Sequence, residues 1–256
     1  MKVQLVSFPK YARMTLKRYS ERLAATCKIL NETDADFVMF SEHLFRDPEI
    51  LKAIRKLVKN KSVTALIELN ERNGYEGNRT YLLQDGEWSD LGGQVFSIPE
   101  EVAGGIECLI DAMCGEYECK RQFTVSGKKF LFIQCGENHI LKGSSGIAKF
   151  RLQDRPDLES RFEELLNSVD IVLNPVHDRW GRFGHFLARL RKFSENGRYC
   201  FSNCQMVGNQ LEAARKSPAH NTTHVAMHNS EQIAPISTEI VDAGNEKVLV
   251  QTFEVL

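Results

Sequence analysis

The chain begins with Lys2-Val3-Gln4-Leu5-Val6, where polar and apolar positions alternate until Pro9 breaks the run. That alternation predicts a half-buried strand over 2–8 and not a secretion signal. Short apolar runs bounded by turn residues predict further strands at 36–40, 62–69, 80–83, 129–134, 170–174, 199–207 and 247–255. Between them the apolar spacing lengthens to three or four, the period of a helix. One helix is carried by Leu16, Tyr19, Leu23, Cys27 and Leu30, and another by Ile50, Leu51, Ile54 and Leu57. Two more run through Leu158, Phe162, Leu165 and Leu166, and through Phe183, Phe186, Leu187, Leu190 and Phe193. Residues 86–122 show neither period clearly, so long loops are expected there. Strands alternating with helices predict a layered α/β fold, and no linker or repeat divides it. One domain over 1–256 is therefore expected.

Composition narrows the function. With 33 basic against 34 acidic side chains in 256 residues, the chain lacks the basic excess of a nucleic-acid binder. No apolar stretch reaches membrane-spanning length. Seven cysteines are an odd number and too sparse for a disulfide scaffold. A cytoplasmic protein with reduced thiols is expected, without membrane or nucleic-acid partners.

Three of the strands end alike. Phe37-Val38-Met39-Phe40 leads into Ser41-Glu42-His43, Phe130-Leu131-Phe132-Ile133-Gln134 into Cys135-Gly136-Glu137-Asn138, and Ile171-Val172-Leu173-Asn174 into Pro175-Val176-His177-Asp178. Each apolar strand delivers polar groups at its carboxyl end, where layered α/β proteins gather their sites. A thiol and a carboxylate presented together can act as nucleophile and general base. Gly136 would let backbone N–H groups approach a developing oxyanion.

The order strand–Glu42, strand–Cys135-Gly136-Glu137, then Val169-Asp170-Ile171-Val172-Leu173-Asn174-Pro175, resembles the nitrilase (carbon–nitrogen hydrolase) superfamily. So do Asn78-Arg79-Thr80-Tyr81-Leu82-Leu83 with Asp85-Gly86-Glu87, and the stretch Phe193-Ser194-Glu195-Asn196-Gly197-Arg198 leading to Asn203. The resemblance covers nearly the whole chain. It implies a four-layer αββα sandwich and a Glu-Lys-Cys triad, with Glu42 as general base and Cys135 as nucleophile. It further implies hydrolysis of a non-peptide carbon–nitrogen bond in a small amide, carbamoyl compound or nitrile, an amidase more than a true nitrilase. No metal and no organic cofactor is implied; a homodimer is.

The triad's lysine is the departure. Counting from the hairpin Gly86 reaches Gln94, a side chain that can donate a hydrogen bond to an oxyanion but carries no charge. Losing a charged donor costs on the order of 3 kcal/mol in the transition state. Three explanations stay open: a different register, Lys120 reaching in from the irregular stretch, or a site that binds or modifies a ligand without efficient hydrolysis. The last makes a catalytically weak binding or interaction module the alternative function. The resemblance also places an accessory glutamate near Glu100 or Glu101; substrate or oxyanion contacts are expected at Gly136, Glu137, His177, Asp178 and Trp180.

Other residues have a plainer reading. Cys108, Cys114 and Cys119, with His139, are spaced too widely for a zinc knuckle and read as ordinary thiols. His220, His224 and His228 would align on a helix, but their surroundings favour extended structure. The basic residues Arg179, Arg182, Arg189, Arg191, Lys192 and Arg198 read as a solvated outer face, an anion-binding surface being the other reading.

Overall fold

Alternation along the strands decides the layering. In the computed structural model, which describes residues 1–10, 15–41, 43–70, 78–96, 100, 107–144, 146–176, 183–217 and 222–256, Phe130 and Phe132 face one layer while Leu131 and Ile133 face another. In chain order the elements are β1 (Lys2–Ser7), α1 (Leu16–Glu32), β2 (Phe37–Phe40), α2 (Glu49–Leu57), β3 (Thr64–Asn70), β4 (Asn78–Gln84), β5 (Glu87–Gly93) and α3 (Glu107–Cys119). Then come β6 (Gln122–Val125), β7 (Lys128–Phe132), a 3₁₀ turn (Cys135–Ile140), β8 (Leu141–Gly143), β9 (Ala148–Phe150), α4 (Pro156–Asn167) and β10 (Ile171–Leu173). The rest are α5 (Phe183–Phe193), β11 (Tyr199–Asn203), α6 (Gln210–Lys216), β12 (His224–His228), β13 (Glu231–Gln232), β14 (Ser237–Ala243) and β15 (Glu246–Glu254).

Two large sheets result, a seven-stranded one ordered β14-β15-β1-β2-β3-β4-β5 and a six-stranded one ordered β13-β12-β11-β10-β7-β6, beside a two-stranded pair β8-β9. Val3, Leu5, Phe37, Met39 and Leu66 of the first pack against Phe130, Phe132, Ile171, Leu173 and Phe201 of the second. The opposite face of the first sheet, with Val38, Phe40, Ala65 and Ile67, is covered by Leu30 of α1 and Ile50 and Ile54 of α2. Outside the second sheet, Leu131, Ile133, Val172 and Cys200 meet Ile110, Met113, Phe162, Leu166, Phe186 and Leu190. The architecture is a four-layer αββα sandwich, as expected. Its central strands are apolar on both faces, so a slip of one residue moves every side chain into the wrong layer. Each fully buried Phe or Leu that holds the register contributes roughly 1.5–3 kcal/mol.

The stretch 86–122, expected as loops, holds β5 and the helix α3 instead. Its helical stripe is Ile110, Met113, Cys114 and Tyr117, all buried. Half of that stripe is cysteine and tyrosine, and Gly115 interrupts it, which blurs the period. Tertiary contacts complete it: Arg161 of α4 donates to the Glu118 carboxylate of α3 and pairs with its Asp111. The basic residues after 179 also depart from a uniformly solvated face, since Arg189 and Arg198 are buried. Phe186 and Phe193 of α5 are spent on the chain's own core, so they supply no apolar face for a second copy. Among the described residues no helix is long and apolar enough to cross a membrane.

Candidate active site

β7 pairs in parallel with β10, and the Ile133 N–H extends the ladder to the Leu173 carbonyl at 2.8 Å. There the chain tightens into the 3₁₀ turn. The Glu137 N–H donates to the Gln134 carbonyl at 3.0 Å, and the Gln134 N–H donates to the Glu137 carboxylate at 3.0 Å. This reciprocal pair closes the turn as a capping box closes a helix. Cys135 stands first in the turn and is half-buried, with Gly136, Glu137 and Asn138 buried behind it. Gly136 does not adopt positive φ, so the turn makes no use of glycine's extra conformational freedom.

Glu137 is held by the core. Its fully buried carboxylate pairs with the fully buried Arg121 and accepts from the Tyr117 hydroxyl at 3.1 Å and the Val95 N–H at 2.8 Å. With the Gln134 N–H these bonds tie both carboxylate oxygens to the protein, which gives Glu137 the position of a strut behind Cys135. Burial works against the Arg121 charge, yet Glu137 with Tyr117 and Glu116 together outweigh it, and the guanidinium is held above its ordinary value. Arg121 also donates to the Gly93 carbonyl. Both chain neighbours of Gln94, Gly93 and Val95, are thereby fastened to the Arg121–Glu137 pair and so to the Cys135 turn. Gln94 itself is buried, and its Nε2 donates to the Phe96 carbonyl at 2.9 Å.

The second sheet edge arrives from β2. Glu42 lies outside the described residues, but its neighbours are well tied. The Ser41 N–H donates to the Val6 carbonyl at 2.9 Å, and Ser41 is fully buried. His43 sits at φ 56°, a left-handed backbone uncommon for a residue with a Cβ. Its Nε2 lies 3.3 Å from Glu68 of β3, its carbonyl accepts from Gln205, and the next residue's N–H returns to β3 at the Glu68 carbonyl. Glu68 is buried and accepts from Gln134 Nε2 at 3.1 Å, while the same amide also donates to the Asn78 carbonyl. A continuous path therefore runs from His43 through Glu68 to Gln134, the residue before Cys135. Asn203, at the end of β11, closes the same edge by donating to the Val6 and Met39 carbonyls, both at 3.0 Å.

No family model matches this sequence, and no curated protein matches it either. Solved structures do. An amidase from Nesterenkonia sp. aligns with a TM-score of 0.55 over 99% of this chain and 90% of its own, at 10% identity. A variant of the Nesterenkonia AN1 amidase "from the nitrilase superfamily" aligns at 0.54 and 12% identity, with the same coverage. The fold is that of the nitrilase superfamily. A glutamine-dependent NAD(+) synthetase from Cytophaga hutchinsonii shares it at a TM-score of 0.53 and 10% identity, over 98% of this chain but 43% of that longer one.

On this nitrilase-type frame the remaining expected residues fall as follows. His177, Asp178 and Trp180 lie outside the described residues, as do Glu101 and His220. Lys120 follows α3 on the outer surface, its Nζ bonded to Glu116 one turn back at 3.0 Å and half-exposed. That pairing commits its charge to the helix end, and the buried cation of this segment is its neighbour Arg121. Cys108 and Cys119 are exposed and Cys114 buried. His224 is buried between Ser7 Oγ at 2.8 Å and Gln251 Oε1 at 3.1 Å.

Arg189 was missed by sequence reasoning. It is 6% exposed, and its Nη1 donates to Asn138 Oδ1 at 2.7 Å. Asn138 in turn donates to Asn174 Oδ1 at 3.1 Å, and Asn174 donates to the Ile133 carbonyl at 2.9 Å. Arg151, after β9, donates from Nε to the His139 carbonyl at 2.7 Å. Burial together with Arg189 and Arg151 pushes the His139 imidazole down to about 3, so it is neutral at physiological pH. Burial lowers Arg151, and the charge of Glu100 offsets part of that. One signal in the sequence pointed to Arg189: it lies three residues after Phe186 and four before Phe193, on the buried stripe of α5.

A cavity of about 150 Å³ opens beside His43, bounded also by Lys10, Tyr19, Arg46 and Gln205. A larger one of about 310 Å³ lies among Lys2, Asp34 and Thr252, at the amino end of β1, the wrong end of the strands for this chemistry.

Proposed function

We propose that this chain is a thiol-dependent hydrolase of a non-peptide carbon–nitrogen bond, amidase-like, acting on a small-molecule amide or carbamoyl compound. The observation that carries this reading is the half-buried Cys135 on its capped turn, at the strand edge where the path from His43 through Glu68 arrives, in a nitrilase-type fold. In support, acrylamide adds at the active-site cysteine of the Nesterenkonia amidase, and variants of that enzyme bind acrylamide and butyramide.

Glu42 takes the proton of the Cys135 thiol, the thiolate attacks the amide carbon, a C–S bond forms, and the carbonyl electron pair moves to oxygen. Gly136 and the Gln94 side-chain amide are the proposed donors to that oxygen. Collapse breaks the C–N bond, with Glu42 delivering the proton to the leaving amine. Water, deprotonated by Glu42, then attacks the thioester, and the C–S bond breaks to release the acid. His177, Asp178 and Trp180 are the proposed substrate contacts. The unit is taken as one domain over 1–256, cytoplasmic and homodimeric; light scattering at twice the 29.2 kDa chain mass would support the dimer, and a clean monomer would reject it.

The deciding experiment is ammonia release from a panel of small amides and carbamoyl compounds by the parent and Cys135→Ala. Release by the parent alone supports the proposal, and equal release by both sinks it. A second reading, a catalytically weak binding module, is favoured by the neutral Gln94 against the Cys135 turn. It predicts amide binding with no ammonia released.

A further inference from the structure

A 3₁₀ turn repeats every three residues, so side chains at positions i and i+3 eclipse one another. Cys135 and Asn138 hold these positions in the Cys135–Ile140 turn. The Asn138 side chain therefore shares the thiol's face of the turn. Its Nδ2 donates to Asn174, and its Oδ1 accepts from the Arg189 guanidinium at 2.7 Å, which brings that cation to the same face. We infer that Arg189 is the cation that stabilises the Cys135 thiolate. The inference rests on the reading of Cys135 as nucleophile.

Arg189 is well placed for that work because it cannot swing away. It is buried on the same stripe of α5 as Phe186 and Phe193, and its acceptor is locked through Asn174 to the Ile133 carbonyl. Burial and the neighbouring Arg151 push Arg189 down to about 10, while negative charge at Cys135 pulls it up. Such coupling is reciprocal: if the thiolate favours the charged guanidinium, the guanidinium favours the thiolate to the same extent. At neutral pH a group at about 10 is still charged, so the effect operates where the enzyme would.

The proposed base Glu42 brings a negative charge that opposes Arg189. Among the described residues the other charged groups around Cys135 sort by element. On its own turn Glu137 is paired with Arg121, and His139 is neutral at physiological pH. From β3, Glu68 is engaged by Gln134 and His43. After β9, Arg151 adds a second positive charge, moderated by Glu100. Gln94, bonded to Phe96 against the same turn, contributes none. Arg121 is seated on the same turn but closed on the Glu137 carboxylate, whereas Arg189 rests on a neutral amide, and removal of Arg189 should be felt most. An opposite charge at such range lowers an acid's pKa by roughly one to three units.

The test is the pH dependence of iodoacetamide alkylation at Cys135, followed by peptide mass spectrometry in the parent, Arg189→Lys and Arg189→Gln. The thiolate displaces iodide, so the rate follows the ionised fraction. The parent should titrate below the ordinary free-thiol value of about 8.5. Arg189→Gln should raise the midpoint by about one unit or more and slow labelling at pH 7 about tenfold. Arg189→Lys, which keeps a charge, should recover most of the shift. An unmoved midpoint in Arg189→Gln, or a lysine variant as slow as the glutamine one, overturns the inference. If Arg189→Gln does not fold, a parent midpoint at or above 8.5 still does so. Amide hydrolysis with a flat comparison sinks Arg189 alone. A shifted midpoint with no amide turned over sinks the amidase reading alone. A Cys135 inert to alkylation at every pH removes both.

Discussion

Two arginines are buried against the Cys135 turn, and they differ in what they hold. Arg121 donates to the Glu137 carboxylate and lies over the Tyr117 and Phe132 rings, 5.4 and 5.7 Å from their centroids. Arg189 donates to a neutral amide, Asn138. The guanidinium of Arg121 is held above its ordinary value, while that of Arg189 is pushed down to about 10. A buried cation closed on a carboxylate is a mechanical part, because its field is largely cancelled at short range. A cation seated on an amide keeps its field and can act on a neighbouring group. The same residue type thus serves two purposes on either side of one turn, and only the acceptor distinguishes them.

The sharpest way to break this comparison is to remove one acceptor or donor at a time. Glu137→Gln strands the Arg121 charge in the core and should cost about 3–5 kcal/mol of stability. Replacing both partners, Arg121→Met with Glu137→Leu, should recover much of that loss, since no uncompensated charge remains. Arg189→Gln removes a hydrogen bond to an amide and should cost less, about 1–3 kcal/mol. Urea midpoints of the four proteins measure the ordering. Equal losses in Glu137→Gln and Arg189→Gln would mean that the two settings are energetically alike.

A second change adds charge on the other flank. Gln94 is tied to the turn by its neighbours' bonds to the Arg121–Glu137 pair, so Gln94→Lys would add an ammonium on that flank. Arg189 stabilises the thiolate in the proposed scheme but was assigned no contact with the substrate oxygen. A lysine at 94 should therefore act on the oxyanion as well, raising amide hydrolysis by about a hundredfold, or roughly 3 kcal/mol. Steady-state rates on the panel's best amide measure it. An unchanged rate would mean that the oxyanion is already served by another group.

Acid separates the two sides in another way. His139 beside Arg189 and His224 within the sheets are both pushed down to about 3 in the fold, against 6.5 ordinarily; burial is the main cause for each. A base whose folded pKa is depressed leaves stability intact above 6.5 and drains it as pH falls toward 3, because only the unfolded chain takes the proton. His224, fully buried, should cost about 2 kcal/mol between pH 6.5 and 5. His139→Gln should lose less stability than the parent over that interval. Parallel urea curves at pH 7 and pH 5 test both, and equal pH sensitivity in parent and variant would mean His139 takes its proton in the fold.

The unequal legibility of this molecule follows the same division. Strand layering was readable because it is local: alternation in Phe130-Leu131-Phe132-Ile133 assigns each residue a face without knowledge of anything distant. The turn at Cys135-Gly136-Glu137 was visible as a strand end carrying a thiol. What those side chains bond to was not, because Glu137 meets Arg121 and Val95, and Asn138 meets Arg189, across long sequence separations. Arg189 in particular sits beside Arg191 and Lys192, which are more exposed, and composition averaged it with them. The helix α3 was missed for a local reason, its stripe being half cysteine and tyrosine and broken by Gly115.

That last glycine supplies the mildest test, one that strengthens the strut without touching the charge beside the thiol. Gly115 lies inside α3, two residues before Tyr117, whose hydroxyl donates to Glu137. Its φ is not positive, and a methyl group added there meets no atom within 4 Å. Glycine in a helix interior is less favourable than alanine by about 0.5–1 kcal/mol, chiefly because the unfolded chain has more conformations to lose. Gly115→Ala should therefore raise the melting temperature by about 2 °C in a protein of this size. The alkylation rate of Cys135 should not move, because the Arg121–Glu137 pair was closed before the substitution and stays closed after it. If labelling instead slows in step with the gain in stability, reactivity at Cys135 depends on opening of the turn. Arg121 and Glu137 would then govern access to the thiol, and the division between a mechanical and an electrostatic arginine would be too simple.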